Sequence, residues 1–274
     1  MSGNFKEMRI NEGAIFIVSG NKYRNIQGYN SRVRFLILHY TAVDFCASIK
    51  ALTGADVSAH YLVPDPTDKT YQDAGFKDLQ IFNLVDEKDR AWHAGVSAWE
   101  DRTNLNDCAI GIETVNLAVD NQGQFYFPPY EEHQQIAIAQ LAANIVARYP
   151  DIMPTRVLGH SDIAFSRKSD PGPKFPWHLL YQYGVGAWYE LDSVAQFREE
   201  IKNGRISTAK TELIPQFRKY GYAVAADMTD SDYRALVRAF QMHFRQSSYT
   251  GEMDDETAAI LLALNKKYFS KQNA

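Results

Sequence analysis

The stretch Val33-Arg34-Phe35-Leu36-Ile37-Leu38-His39-Tyr40-Thr41 decides the architecture. A short apolar run of this kind reads as a buried strand, and it delivers a histidine at its carboxyl end. Two similar runs follow. Ala109-Ile110-Gly111-Ile112-Glu113-Thr114-Val115 is a strand with one carboxylate in it, and Val157-Leu158 leads into Gly159-His160. Residues 57–63, closed by Pro64-Asp65-Pro66, form a fourth candidate. Between the second and third runs, residues 130–148 carry Ile138, Leu141, Ala142 and Ile145 at helical spacing, with Glu131 and Glu132 near the amino end. Strand, helix, strand alternation predicts an α/β fold, a mixed β-sheet flanked by helices.

After Trp188 the texture changes. Residues 190–210 are polar and read as a surface helix plus linker. The remainder reads as helices only: one from Leu213 to Tyr220 ended by Gly221, one over 230–244, and one opened by Asp254-Asp255-Glu256-Thr257. Three short amphipathic helices predict a small C-terminal three-helix bundle, marginal as an isolated unit.

Composition narrows the function. The 274 residues carry 29 Lys and Arg against 33 Asp and Glu, a formal charge of −4, so general nucleic-acid binding and polybasic membrane docking are excluded. No run approaches the roughly 20 apolar residues of a membrane span; the longest are short, such as Ala14-Ile15-Phe16-Ile17-Val18. Residues 1–20 lack the pattern of a signal peptide. Two cysteines, Cys46 and Cys108, build no disulfide framework and read as buried small hydrophobes.

Chemistry points to the sheet's carboxyl edge, where ligands of open α/β sheets bind. His39 and His160 end predicted strands, and Asp170 lies ten residues beyond His160 in Ser169-Asp170-Pro171-Gly172-Pro173. Two imidazoles and a carboxylate are one donor set of a catalytic zinc with an open fourth position. Spacing alone leaves the alternative open that each histidine only bonds backbone. Glu113 is the unusual residue: burial within an apolar strand raises its pKa, which suits a general base, although pairing with a cation is the competing reading. If Asp170 binds a metal, Lys168, two residues before it, is placed to meet an oxyanion; a solvated pair of adjacent cations, Arg167-Lys168, is the competing and commoner reading. His60 reads as structural. His93, in Ala91-Trp92-His93-Ala94-Gly95, fits substrate contact and packing equally. His133, His178 and His243 read as helix or surface residues.

Taken in order, these segments resemble the zinc-dependent N-acetylmuramoyl-L-alanine amidases of the AmpD/AmiD type. The resemblance is carried by 35–41, Val57-Ser58-Ala59-His60-Tyr61-Leu62-Val63, 91–95, 110–113, Gly159-His160-Ser161-Asp162-Ile163, and 167–173 followed by Phe175-Pro176-Trp177. It implies one zinc ion per chain held by His39, His160 and Asp170, with Glu113 deprotonating the attacking water and Lys168 stabilising the oxyanion. Tyr40 and His93 are then substrate contacts. The bond cut would join the lactyl group of N-acetylmuramic acid to L-alanine of the stem peptide. Ala59 stands where phage and animal relatives carry a catalytic tyrosine, which favours the branch relying on the strand glutamate.

The resemblance also divides the chain into a catalytic domain over 1–190, a linker over 191–210 and a peptidoglycan-binding three-helix domain over 211–274. The last is carried by Ala239-Phe240-Gln241-Met242-His243-Phe244-Arg245 and Gly251-Glu252-Met253-Asp254. On this division, deleting 208–274 spares cleavage of soluble muropeptides and weakens binding to the sacculus. Peptidoglycan and muropeptides are the expected partners, the periplasm the expected place of action, with cytosolic recycling or delivery into another cell as alternatives. A muropeptide-binding protein without catalysis and a zinc peptidase acting within the stem peptide are the competing functions.

Overall fold

The computed structural model describes residues 6–10, 14–18, 31–121 and 124–270. The other residues of the 1–190 and 211–274 regions lie outside the described residues. Residues 1–31 form one compact unit, in which β1 (Lys6–Ile10) and β2 (Ala14–Val18) pair antiparallel. Residues 32–274 form the other.

In the larger unit the strands are β3 (Phe35–Tyr40), β4 (Tyr61–Val63), β5 (Phe82–Asn83), β6 (Ala98–Trp99), β7 (Arg102–Thr103), β8 (Ala109–Thr114), β9 (Val119–Asn121), β10 (Gln124–Tyr126) and β11 (Val157–Gly159). The helices are α1 (Phe45–Leu52), α2 (Lys69–Asp73), α3 (Glu132–Arg148), α4 (His160–Ile163), α5 (Trp177–Gln182), α6 (Leu191–Lys202), α7 (Lys210–Tyr220), α8 (Asp230–Phe244) and α9 (Asp255–Phe269). Five strands build the central sheet in the order β11-β3-β8-β4-β5; the first four run parallel and β5 is antiparallel. The mixed, helix-flanked sheet predicted from sequence is the observed one.

The apolar runs at β3 and β8 are continuous because both faces of the sheet are covered. Leu36, Leu38, Ile110 and Ile112 pack with Ile138, Ala142 and Ile145 of α3 and with Leu180 of α5. The opposite face presents Phe35, Ile37 and Ala109, which share one core with Leu213, Phe217, Phe240 and Leu264 of α7, α8 and α9. Glu131 caps α3 by accepting the Gln134 N–H, and Asp254 caps α9 by accepting that of Thr257.

Several expectations change. The fourth strand is shorter than 57–63, because only 61–63 pair with β8 while Val57 stays exposed. Residues 191–210 contain α6, whose Val194 and Ile201 are buried in the core shared with α9. The C-terminal helices thus cover one face of the sheet, and a truncation at 208 would uncover it. Cys46 lies on the exposed side of α1, whose buried side is Phe45, Ser48 and Leu52; Cys108 is buried, and both thiols are free. His243 is buried, because it sits between Trp177 and Phe244 and pairs with Asp162.

Candidate active site

Parallel pairing sets the site. In register, β3 places His39 beside Glu113 of β8, and β11 lies on the other side of β3, ending at Gly159 immediately before His160. The loop that follows α4 returns Asp170 to the same edge, where the Ser161 N–H donates to the Asp170 carbonyl at 2.8 Å. These residues border a pocket of about 400 Å³, lined also by Tyr40, His93 and Lys168.

His39, His160 and Asp170 converge, all three buried. His39 Nδ1 lies 2.8 Å from Asp170 Oδ2, His160 Nδ1 lies 3.1 Å from the same oxygen, and the two Nδ1 atoms are 3.1 Å apart. Donors at 2.0–2.1 Å from a tetrahedral zinc stand about 3.3 Å from one another, close to this triangle. The outer ring nitrogens explain the polarity. His160 Nε2 donates to the Ala94 carbonyl at 3.0 Å, which fixes the ring with Nδ1 towards the Asp170 oxygen. His39 Nε2 meets His93 Nδ1 at 3.1 Å. Burial first, with His160 and Lys168 adding to it, lowers the His39 pKa to about 4 against the pull of Asp170, so its ring is neutral at pH 7. The Asp170 carboxyl is held well below its usual range: the two histidines outweigh burial, which acts in the opposite direction. Two ring nitrogens and a carboxylate oxygen meeting at these distances have the spacing of donors around a shared cation.

Glu113 is the next element. Its Oε2 is buried and makes no hydrogen bond among the described residues. Burial, then the negative charge of Asp170, raises its pKa well above the ordinary carboxylate value, while Lys168 works against that rise. A buried carboxylate with a raised pKa has the properties that a general base needs. Lys168 is half-buried on the pocket wall. The Tyr40 hydroxyl is bound to Ser169 Oγ at 2.6 Å, so Tyr40 braces the loop preceding Asp170 as well as lining the pocket. His93 lines the pocket and packs edge-on against both His39 and His60. His60 is structural: its Nδ1 accepts the Gly111 N–H at 3.0 Å. His133 is on α3 and His178 on α5, both away from the pocket lining.

Two contributors escaped the sequence. Gly111 is required because a Cβ there would meet the His93 ring at 2.5 Å; the missing side chain lets His93 reach His39. Asn106 Oδ1 accepts the N–H groups of His93 and Ala94 at 3.0 and 2.7 Å, fixing the segment that meets His39 and His160. A glycine preceding a strand carboxylate, and a histidine beside a glycine, were the available signals.

Comparison with known proteins agrees with this geometry. Residues 29–173 match the family profile Amidase_2, N-acetylmuramoyl-L-alanine amidase. The chain is 44% identical over 247 residues to N-acetylmuramoyl-L-alanine amidase AmiD of Escherichia coli K12, covering 89% of this chain and 87% of that one. AmpDh3 from Pseudomonas aeruginosa, solved in complex with anhydromuramic pentapeptide, superposes with a TM-score of 0.88 at 56% identity, over 92% of this chain and 98% of that one. The E. coli AmiD complex with anhydro-N-acetylmuramic acid-L-Ala-D-gamma-Glu-L-Lys gives 0.80 at 42% identity, over 94% and 97%. With a site of this chemistry and relatives matched over nearly their whole length, the chain belongs to the N-acetylmuramoyl-L-alanine amidase family and is an enzyme of that activity.

Proposed function

We propose that the enzyme uses zinc, held by His39 Nδ1, His160 Nδ1 and Asp170 Oδ2, to hydrolyse the amide between the lactyl group of N-acetylmuramic acid and L-alanine. The supporting observation is the triangle of two imidazole lone pairs and one carboxylate oxygen beside the unpartnered Glu113. Zinc at such donors lowers the pKa of its water towards roughly 7 and polarises a carbonyl oxygen.

The protein's own groups do the rest. Glu113 takes a proton from the attacking water as its oxygen adds to the lactyl carbonyl carbon. Lys168 faces the oxyanion that forms. Glu113 then returns the proton to the alanine nitrogen as the carbon–nitrogen bond breaks, so water is divided between the two products. Burial lowers the pKa of both His39 and His93, so neither adds positive charge beside Asp170 at pH 7.

Muropeptides carrying an anhydro sugar are the proposed soluble substrates, because two relatives similar over nearly their full length were solved with such molecules. We also place peptidoglycan itself among the partners, with residues 211–274 contributing to attachment and the periplasm as the site of action. No helix among the described residues is long and apolar enough to cross a membrane.

A chelator titration checks the metal. Dialysis against chelator is expected to abolish cleavage of an anhydromuropeptide, and about one equivalent of zinc to restore it. Full activity in metal-free protein would overturn the proposal.

A further inference from the structure

The C-terminal helices reach into the metal centre's support. Asp162, two residues after the ligand His160, is buried, and each of its oxygens is bound. Oδ2 accepts the Gly159 N–H at 2.8 Å and pairs with His243 Nδ1 at 2.8 Å; Oδ1 accepts the Tyr222 hydroxyl at 2.6 Å. Tyr222 and His243 are both fully enclosed. The His243 ring lies between Trp177 and Phe244, with ring centroids 3.7 and 3.8 Å away and planes at 18° and 5°. Just beyond α8, Gln246 Nε2 donates to the carbonyls of Pro173 and Phe175, each at 2.7 Å. Those carbonyls belong to the segment that carries Asp170.

The same C-terminal region is tied down at its other end. The Glu100 N–H donates to the Gly221 carbonyl at 2.6 Å, and Trp99 bridges to Tyr222. Gly221 has φ +135°, and a Cβ there would meet the Trp99 ring at 2.5 Å, so the chain passes Trp99 at closest approach.

We infer that Tyr222, His243 and Gln246 are positioning residues for the metal centre. Through Asp162 and the 173–175 backbone they hold the two segments that bring His160 and Asp170 together. The C-terminal helices then belong to the catalytic unit as well as to substrate attachment. A metal ligand is oriented by the groups behind it, and removing such support weakens metal binding by about 10–100-fold. Here the support comes from residues 62–83 positions away from the ligands they serve, in a region whose sequence reads as a separate bundle.

The inference rests on the zinc reading, and the test separates the two. Full-length wild-type protein and the variants Tyr222→Phe, His243→Ala, His243→Gln and Gln246→Ala are titrated with zinc against a chromogenic chelator. Metal-free melting temperature, and kcat and KM on a soluble muropeptide, are measured in parallel. Tyr222→Phe, His243→Ala and Gln246→Ala are expected to lose about 10–100-fold in zinc affinity and to lower kcat more than KM changes. His243→Gln, which keeps an N–H for Asp162, is expected to recover part of that loss. If His243→Ala fails to fold, Tyr222→Phe and Gln246→Ala still carry the test, since the first removes only a hydroxyl and the second truncates a half-buried side chain. Lower melting temperatures with zinc affinity within twofold of wild type would overturn the inference. Wild-type protein that binds no zinc would instead overturn the metal reading on which it rests.

Discussion

Turnover by the Glu113→Gln variant is expected to fall by about 10²–10⁴-fold while zinc binding stays at the wild-type level. Gln keeps the size and shape of the side chain and removes its capacity to accept a proton. The position is a strand residue between His39 on one neighbour and Leu62 on the other, and its Oε2 is buried without a partner, so the substitution leaves no ion pair broken. The fold is therefore expected to persist, and the loss to appear in kcat. The pH profile carries the same assignment. As the proposed general base, Glu113 would work as a carboxylate, and burial together with Asp170 raises its pKa above the usual value. The sign follows: kcat/KM climbs as pH rises through that raised pKa and is lost below it, where the group is protonated. The Gln variant's residual activity is expected to lack this acidic limb. A profile unchanged by the substitution, or turnover within a few-fold of wild type, would remove Glu113 from the general-base role.

The second large effect is on the fold. Removing residues 208–274 is expected to give a chain that is insoluble or lacks a cooperative melting transition, with no cleavage even of soluble muropeptides. The deletion takes away Leu213, Phe217, Phe240, Phe244 and Leu264, which share a core with Phe35, Ile37 and Leu158 of the sheet. A single buried Phe replaced by Ala costs about 3–5 kcal/mol, and whole domains are stable by only about 5–15 kcal/mol. Losing one covering layer exceeds that margin. The truncated chain would also lose the donors to Asp162 and to the 173–175 carbonyls. Circular dichroism melting and a soluble-substrate assay on the truncated chain check this. A folded, active fragment would show that 1–207 stands without the C-terminal helices.

What the sequence could disclose follows from the range of each interaction. β3 and β8 were legible because burial on both faces leaves an apolar run, and Glu113 stood out as the one charge within it. His39 and His160 were legible as residues ending strands, since the strand edge is where a parallel sheet presents its ligands. The helix over 132–148 announced itself by local periodicity and an acidic amino end. None of this needed distant information. The support of the site did: Gly111 under His93, and Asp162 bound to Tyr222 and His243, 60 and 81 positions away, are set by tertiary packing. A lone histidine on a helix carries no mark of its partner, so His243 read as peripheral although it is buried against Asp162. The polar texture of 191–210 misled in the same way, because the inward residues of α6, Val194 and Ile201, are few among charged neighbours.

Mass spectrometry of the products from one defined anhydromuropeptide tests the central claim most directly. The account predicts two products, the sugar bearing a free lactyl carboxylate and an intact stem peptide beginning with L-alanine, with neither formed by the Glu113→Gln variant. A cut between two stem-peptide residues, or an untouched muropeptide with zinc present, would contradict it.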